Sequence, residues 1–287
     1  MPWVSIAMKK PLIMGIINVT PDSFSGDGIE PTPDYIERAI FQAEQMVAEG
    51  ADILDVGGES SRPGHVPVSA EEEICRVVPV ISSIKKTLGT AQTIAVDTVK
   101  SVVAEEALKA GASIVNDISA LANDPHMGEV AARYGAQVVL MHNRAKATAV
   151  SYDAKIGGQY VAPEYANIID DVTHELAERV EAALKAGIAR DKIILDPGIG
   201  FGKTPQQNLT LIAQLGKIKA LGFPVLIGPS RKSFIGHILD VAINDRIEGT
   251  AACVALAVME GADIVRVHEV KYMARIAKMA AAIKEAR

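Results

Sequence analysis

The sequence predicts an α/β protein, a single (β/α)8 TIM barrel, and three observations lead there. A short phrase recurs along the chain: Glu49-Gly-Ala-Asp-Ile-Leu-Asp-Val56 returns as Glu260-Gly-Ala-Asp-Ile-Val-Arg-Val267. Ala110-Gly-Ala-Ser-Ile-Val-Asn-Asp117 and Tyr134-Gly-Ala-Gln-Val-Val-Leu-Met141 have the same form. Each reads as a helix end, a glycine able to take positive φ, and a short β-branched strand. These strands are continuously apolar rather than alternating, which predicts a parallel sheet covered on both faces. Eight of them in 287 residues give βα units of about 36 residues, the repeat of a barrel. An open, doubly wound sheet is the alternative.

The elements follow in order. Leu12–Asn18 is the first strand and leads into Thr20–Thr32, a loop of Pro, Gly and polar residues. Ile53–Val56 follows the first glycine phrase and runs into a second long loop, Gly57–Val68. Ser69-Ala-Glu-Glu72 is a capping box that starts the next helix. Thr93–Asp97, Ile114–Asp117 and Gln137–Met141 are the third to fifth strands. After them, roughly Asn143–Ala166 shows no periodicity and reads as a loop. Ile193–Asp196 precedes Thr204-Pro-Gln-Gln207, a second capping box with Pro205 at the first helical position. Val225–Gly228 and Ile264–Val267 complete the set. The C-terminal helix, Met273–Ala286, covers the last strand or offers a dimer surface. Helix-to-strand links are short and several strand-to-helix loops are long, so the long ones share the C-terminal face, where barrel sites lie.

Composition narrows the function classes. The chain is 49% hydrophobic and 22% charged, enough to bury a large core and unlike a disordered chain. Its net charge, 29 − 35 = −6, gives no basic field for nucleic acid or an anionic membrane. Cys75 and Cys253 lie too far apart for a disulfide framework or a zinc pattern and read as small core residues in helices. Pro11–Val19 and Ala251–Met259 are too short to span a bilayer, and the expectation is a soluble, cytoplasmic protein.

Polar residues at the strand ends locate the site. One barrel mouth collects Asn18, Asp55, Asp97, Asn116, Asp196, Arg266 and His268. Aligning the glycine phrases puts Asp55, Asn116, Leu140 and Arg266 at equivalent positions. An internal network would explain any single buried polar group. A ring of them suits a flat heterocycle rich in N–H groups. Gly228-Pro-Ser-Arg-Lys-Ser233, Arg266-Val-His268 and Ser61-Arg62-Pro63-Gly64 form a basic, hydroxylic cluster that reads as an anion site for a phosphorylated substrate or leaving group. Gly198-Ile-Gly-Phe-Gly-Lys-Thr204 fits neither a P-loop nor the dinucleotide fingerprint and reads as a tight turn placing Phe201 near the pocket. His65, His126, His174 and His237 read as exposed or local, His142 as packed or pocket-lining, and His268 alone as functional. Nothing suggests covalent catalysis.

Eight motifs in order carry a resemblance. They are Met14-Gly-Ile-Ile-Asn-Val-Thr-Pro-Asp-Ser-Phe-Ser25, Asp55-Val-Gly-Gly-Glu-Ser-Ser-Arg-Pro-Gly64, Val96-Asp-Thr98, Asn116-Asp-Ile118, Leu140-Met-His142, Asp196-Pro-Gly-Ile-Gly-Phe-Gly-Lys203, Ser230-Arg-Lys-Ser233 and Arg266-Val-His268. Over about Pro11 to Arg275 the chain resembles the dihydropteroate synthases, folate-pathway enzymes that join a dihydropterin to p-aminobenzoate. The resemblance implies a pterin site of Asp97, Asn116, Met141, Asp196, Phe201, Gly228 and Lys232, with diphosphate contacts from Asn18, Arg266 and His268. It implies Mg²⁺ held at Asn18, and p-aminobenzoate received by Ser61, Arg62, Pro63, Lys232 and Ser233. Ser233, near a helix start, would hold the carboxylate with help from backbone N–H groups. Asp97, Lys232, Arg62 and Asp22 would carry catalysis, with closure of Thr20–Thr32 and Gly57–Val68 excluding water. A homodimer and a sulfonamide target are further implications, with sensitivity or resistance left open by the sequence. Ser61 stands where threonine is usual, Val99 where serine is usual, and Gly26-Asp27-Gly28 and Pro229 also depart from the pattern; none removes a charge. The competing readings are a methyltransferase acting on methyltetrahydrofolate and a non-catalytic pterin-binding paralogue.

Overall fold

The computed structural model describes residues 10–20, 28–29, 32–145 and 149–287. In chain order the elements are β1 (Leu12–Asn18), α1 (Tyr35–Glu49), β2 (Ile53–Gly57), α2 (Ala70–Leu88), β3 (Thr93–Asp97), α3 (Ser101–Lys109), β4 (Ile114–Asp117), α4 (Met127–Tyr134) and β5 (Gln137–Met141). A hairpin follows, β6 (Val150–Asp153) and β7 (Gly157–Tyr160), then α5 (Ile168–Lys185), β8 (Ile193–Asp196), α6 (Pro205–Ala213) and α7 (Leu215–Lys219). The chain continues through β9 (Leu226–Ile227), α8 (Ser233–Leu239), α9 (Ile247–Met259), β10 (Ile264–Val267) and α10 (Val270–Glu285).

Eight parallel strands pair in the order β8-β5-β4-β3-β2-β1-β10-β9. A parallel bridge between Leu195 and Val225 joins the two ends of that sheet. Closure decides for the barrel over the open sheet. The glycine phrase works as a C-cap: Gly50 (φ 107°) and Gly261 (φ 102°) turn the chain out of a helix and into a strand within three residues. Ser69 Oγ accepts from the Glu72 N–H (3.2 Å), and Thr204 with Gln207 completes a reciprocal capping box behind Pro205.

Successive side chains on a strand point to opposite faces. Met14, Ile53, Ala95, Ile114, Val139, Ile194, Leu226 and Ile264, one from each strand, pack together as the barrel's inner layer. Their neighbours of opposite parity, such as Leu54, Val96, Val115 and Val265, belong to the larger core beneath the helices.

Three expectations need correction. Leu140 does not share a face with Asp55, Asn116 and Arg266. β5 begins two residues after its glycine, whereas β2, β4 and β10 begin three after theirs. Because side chains alternate, that one-residue slip sends Leu140 outward into the helix-covered core and Met141 inward. The Asn143–Ala166 stretch is not all loop: Val150–Asp153 and Gly157–Tyr160 pair antiparallel. Cys253 is buried as expected, but Cys75 is exposed, because α2 buries Glu73, Arg76, Val77, Val80, Ile81 and Ile84 and turns Cys75 to the other side.

Candidate functional site

The inner-layer parity builds the site. Two residues beyond each inner-layer side chain, toward the C-terminal end, come Ile16, Asp55, Asp97, Asn116, Met141, Asp196, Gly228 and Arg266. A further step of two from β1 and β10 gives Asn18 and His268. The strand rule that packs Ile and Val below therefore aims carboxylates, amides and a guanidinium above.

A charge network ties this layer together. Arg266 Nε donates to Asp55 Oδ2 (2.6 Å) and its Nη2 to Asp97 Oδ2 (2.7 Å). Asn116 Nδ2 also donates to Asp55 Oδ2 (3.0 Å). Burial acts to lower the Arg266 pKa, but the charges of Asp55 and Asp97 outweigh it and hold the guanidinium above its ordinary value. Burial pushes the Asp97 carboxyl up to about 7 against the pull of Arg266. Burial likewise pushes Asp196 up to about 6, opposed by the Gly198 N–H, which donates to Asp196 Oδ1 (2.7 Å), and by Lys232.

Lys232 stands over this layer. Its stem crosses Gly200 so closely that a Cβ there would lie 2.8 Å from Lys232 Cδ. The ammonium rests 4.1 Å from the Phe201 ring centroid. Burial, and then the neighbouring Arg266, press its pKa down to about 8, while Asp196 and Asp97 pull the other way. The residue before it, Arg231, has φ 57°. Thr250 Oγ1 accepts from its N–H (3.2 Å) and Glu269 Oε1 from its Nε (2.5 Å), which holds the turn in that left-handed conformation. Ser230 Oγ meets His268 Nδ1 at 2.8 Å.

Above the network opens a cavity of about 1090 Å³ including its mouth. Its lining brings together Asn18, Ser61, Arg62, Pro63, Phe201, Gly228, Lys232, Ser233, Arg266 and His268, all site residues expected from the sequence. Asp97, Asn116, Asp196 and Met141 are not part of that lining; they lie in the strand-end layer with Arg266, and Asp97 and Asp196 are near Lys232. Asp22 lies outside the described residues. The loop after β2 is fixed at its root. Lys100 Nζ bridges Glu59 and Glu73 at 2.5 Å each, Arg76 Nη1 donates to the Gly58 carbonyl (2.7 Å), and His65 joins the Arg62 carbonyl (2.8 Å) to Glu59.

Several residues of the site were not singled out by sequence reasoning. Lys203 is buried and donates to the carbonyls of Gly198 (2.9 Å) and Phe201 (3.0 Å), locking the turn that presents Phe201; burial lowers its pKa to about 7. Arg246 is buried and donates to the carbonyls of Arg231 (2.8 Å) and Ile156 (2.7 Å). The hairpin brings Ile156 and Tyr160 into the cavity wall. Its signal was available: Tyr152 and Tyr160 flank an Asp153-to-Gly157 turn, where Asp153 Oδ1 accepts from the Lys155 and Ile156 N–H groups. His142, read as packed or pocket-lining, is packed. Burial, with Lys203 nearby, drives its pKa down to about 2, and its Nε2 meets Glu175 Oε2 at 3.1 Å.

Known proteins are similar to this chain in sequence and fold. Residues 14–268 match the pterin binding enzyme family. The dihydropteroate synthase of Bacillus subtilis is 47% identical over 271 residues, 94% of this chain and 88% of that one. The crystal structure of a dihydropteroate synthase from Clostridium difficile in the presence of pteroic acid superposes with a TM-score of 0.85 at 43% identity, over 96% of this chain and 97% of that one. The Yersinia pestis dihydropteroate synthase in a sulfonamide complex gives a TM-score of 0.89 at 36% identity, over 99% and 98% of the two chains. With fold, strand-end chemistry and near full-length identity in agreement, the chain belongs to the pterin-binding enzymes, among the dihydropteroate synthases.

Proposed function

We propose that the chain condenses 6-hydroxymethyl-7,8-dihydropterin diphosphate with p-aminobenzoate, giving 7,8-dihydropteroate and diphosphate. The observation that carries this reading is the inward-facing layer of Asp97, Asn116 and Asp196 set against Lys232, beside a cavity lined by Ser61, Arg62 and Ser233. Ionised Asp97 and Asp196 and the Asn116 amide suit the N–H-rich edge of a pterin, and Lys232 donates to its carbonyl side. Met141, Phe201 and Gly228 line the ring. Ser61, Arg62, Pro63 and Ser233, with Lys232 between the two substrates, take the arylamine acid, and Ser233 at the start of α8 holds its carboxylate.

The amine nitrogen attacks the pterin methylene as the bond to diphosphate breaks, and the proton that the nitrogen loses passes to solvent. Arg266 and His268 stabilise the charge gathering on the departing diphosphate, and Ser230 holds His268 in place. Asp97, as a carboxylate, stabilises the positive charge that develops on the pterin. Mg²⁺ takes oxygen ligands and is commonly held by one or two protein groups plus substrate phosphates. Asn18, whose side chain carries an amide oxygen, lines the cavity together with Arg266 and His268 and so brings an oxygen donor to the diphosphate side. Asn18 would hold the ion with the diphosphate, where it would withdraw charge from the leaving group.

The test is product formation from the two substrates with Mg²⁺ present or chelated. Dihydropteroate and diphosphate in equal amounts are expected, lost on chelation and restored by Mg²⁺. Tight pterin binding with no product would overturn the synthase reading in favour of a methyltransferase or a binding paralogue. In line with the sulfonamide complex of the Yersinia relative, sulfonamides should compete with p-aminobenzoate.

The chain is also assigned to a homodimer. Tyr272, Met279 and Ile283 form an exposed stripe on α10, spaced seven and four residues apart, and the exposed Leu256 lies on the neighbouring α9. Light scattering should return twice the chain mass; the mass of one chain would contradict the assignment. No helix among the described residues is long and apolar enough to cross a membrane. Two free thiols, Cys75 and Cys253, fit the reducing cytoplasm, where we place the protein.

A further inference from the structure

The β6–β7 hairpin crosses the rim of the cavity between two walls. On one side, Tyr160 Oη donates to the Ser61 carbonyl (3.0 Å) and Tyr152 Oη to the Pro63 carbonyl (3.2 Å). On the other, Arg246 Nη2 donates to the Ile156 carbonyl at the hairpin turn (2.7 Å). The loop carrying Ser61 and Pro63 has a fixed root, but its tip is tied across to the hairpin. Tyr160 serves two purposes. Its hydroxyl reaches the Ser61 backbone, and its ring stacks on Phe201, with centroids 5.9 Å apart and planes at 25°. Phe201 in turn carries the Lys232 ammonium. One side chain therefore joins the loop on the arylamine side of the cavity to the aromatic–lysine pair on the pterin side.

We propose that Tyr160 is a positioning residue for the arylamine acid, holding the Ser61-Arg62-Pro63 segment at a fixed distance from Phe201 so that a flat ring fits between them. This rests on the synthase reading. A hydrogen bond between two neutral groups contributes modestly, but a loop that must order before binding weakens affinity directly. The burden therefore falls on the affinity for p-aminobenzoate. The pterin contacts Asp97, Asn116 and Asp196 come from the ends of β3, β4 and β8, outside the hairpin. Burial holds the phenol pKa up at about 12, so Tyr160 stays a donor at every working pH.

The experiment compares wild type, Tyr160→Phe and Tyr160→Ala in steady-state kinetics with each substrate varied, and in amide hydrogen exchange over residues 58–64 without substrate. Tyr160→Phe keeps the stack and removes the bond. It should raise KM for p-aminobenzoate about threefold to tenfold, leave kcat and KM for the dihydropterin diphosphate within about twofold, and speed exchange over 58–64. Tyr160→Ala also removes the stack on Phe201, so it should raise KM for p-aminobenzoate further and KM for the dihydropterin diphosphate by a smaller factor. Equal rises in both KM values, a fall in kcat alone, or unchanged exchange would overturn the proposal. Wild-type protein that exchanges normally but forms no product overturns the synthase reading instead, and the assignment to the arylamine with it.

Discussion

Arg266→Met will lose about 3–5 kcal/mol of folding stability, the cost of leaving a buried charge without its partner, and at least about a hundredfold in kcat/KM. Asp55 has no exposed surface, and its Oδ1 finds no hydrogen-bond partner. Among the described residues its charge rests on Arg266 and on the Asn116 amide. Asp97 is the second carboxylate on the same guanidinium, at 2.7 Å. Methionine matches the volume of the arginine stem and supplies no donor, so both carboxylates face each other across an apolar side chain. The raised pKa of Arg266 states the same balance: attraction exceeds burial in the folded chain. Chemical denaturation at pH 7 measures the loss. Adding Asp55→Asn should restore part of it by removing the orphaned charge, which a simple packing defect would not allow. A loss below about 1 kcal/mol in the single variant would mean that the pair is a solvated surface contact.

The same pair shows what the sequence made legible and where it stopped. Each strand could be read from its glycine phrase, because the phrase encodes a helix stop and a β-branched run in adjacent residues. The strand-end polar residues could be read too, since Asp55, Asp97, Asn116 and Asp196 interrupt apolar strands where burial would otherwise exclude them. Their partners could not. Arg266 stands level with Met14 and Ile53, yet it bonds Asp55 and Asp97, because adjacent strands are staggered and an arginine stem spans the difference. Pairing depends on shear, which no local pattern records. Leu140 failed for a related reason: one residue fewer between Gly135 and the start of β5 reverses every side chain on that strand. The hairpin was missed because its two strands are only four residues each and half-exposed, too short and too polar for the periodicity that marks the barrel strands.

Arg266 and Lys232 are both cations beside Asp97, but they stand in opposite balances, and that difference predicts opposite effects on stability. Arg266 has its pKa raised; Lys232 has its pKa lowered to about 8, first by burial and then by Arg266 itself. A lysine that loses its proton more easily when folded is destabilised as a cation. Between about pH 8 and its unfolded value near 10.4, the unfolded chain binds more protons at this position, so stability rises with pH across that window. At pH 7 the full disadvantage is present. Lys232→Met should therefore leave stability at pH 7 unchanged or higher, and any gain should fade as the pH approaches 10. Function should move the other way. On the proposed function, pterin binding needs Asp196 and Asp97 ionised, with pKa values near 6 and 7, and Lys232 protonated, with a pKa near 8. Wild-type affinity for a dihydropterin should rise through pH 6–7 and fall above about 8. The variant should bind about a hundredfold more weakly and keep the acidic limb while losing the alkaline one. A variant that is less stable by more than about 1 kcal/mol, or that retains the fall above pH 8, would show that Lys232 is held as a favourable ion pair and that another group sets the alkaline limb.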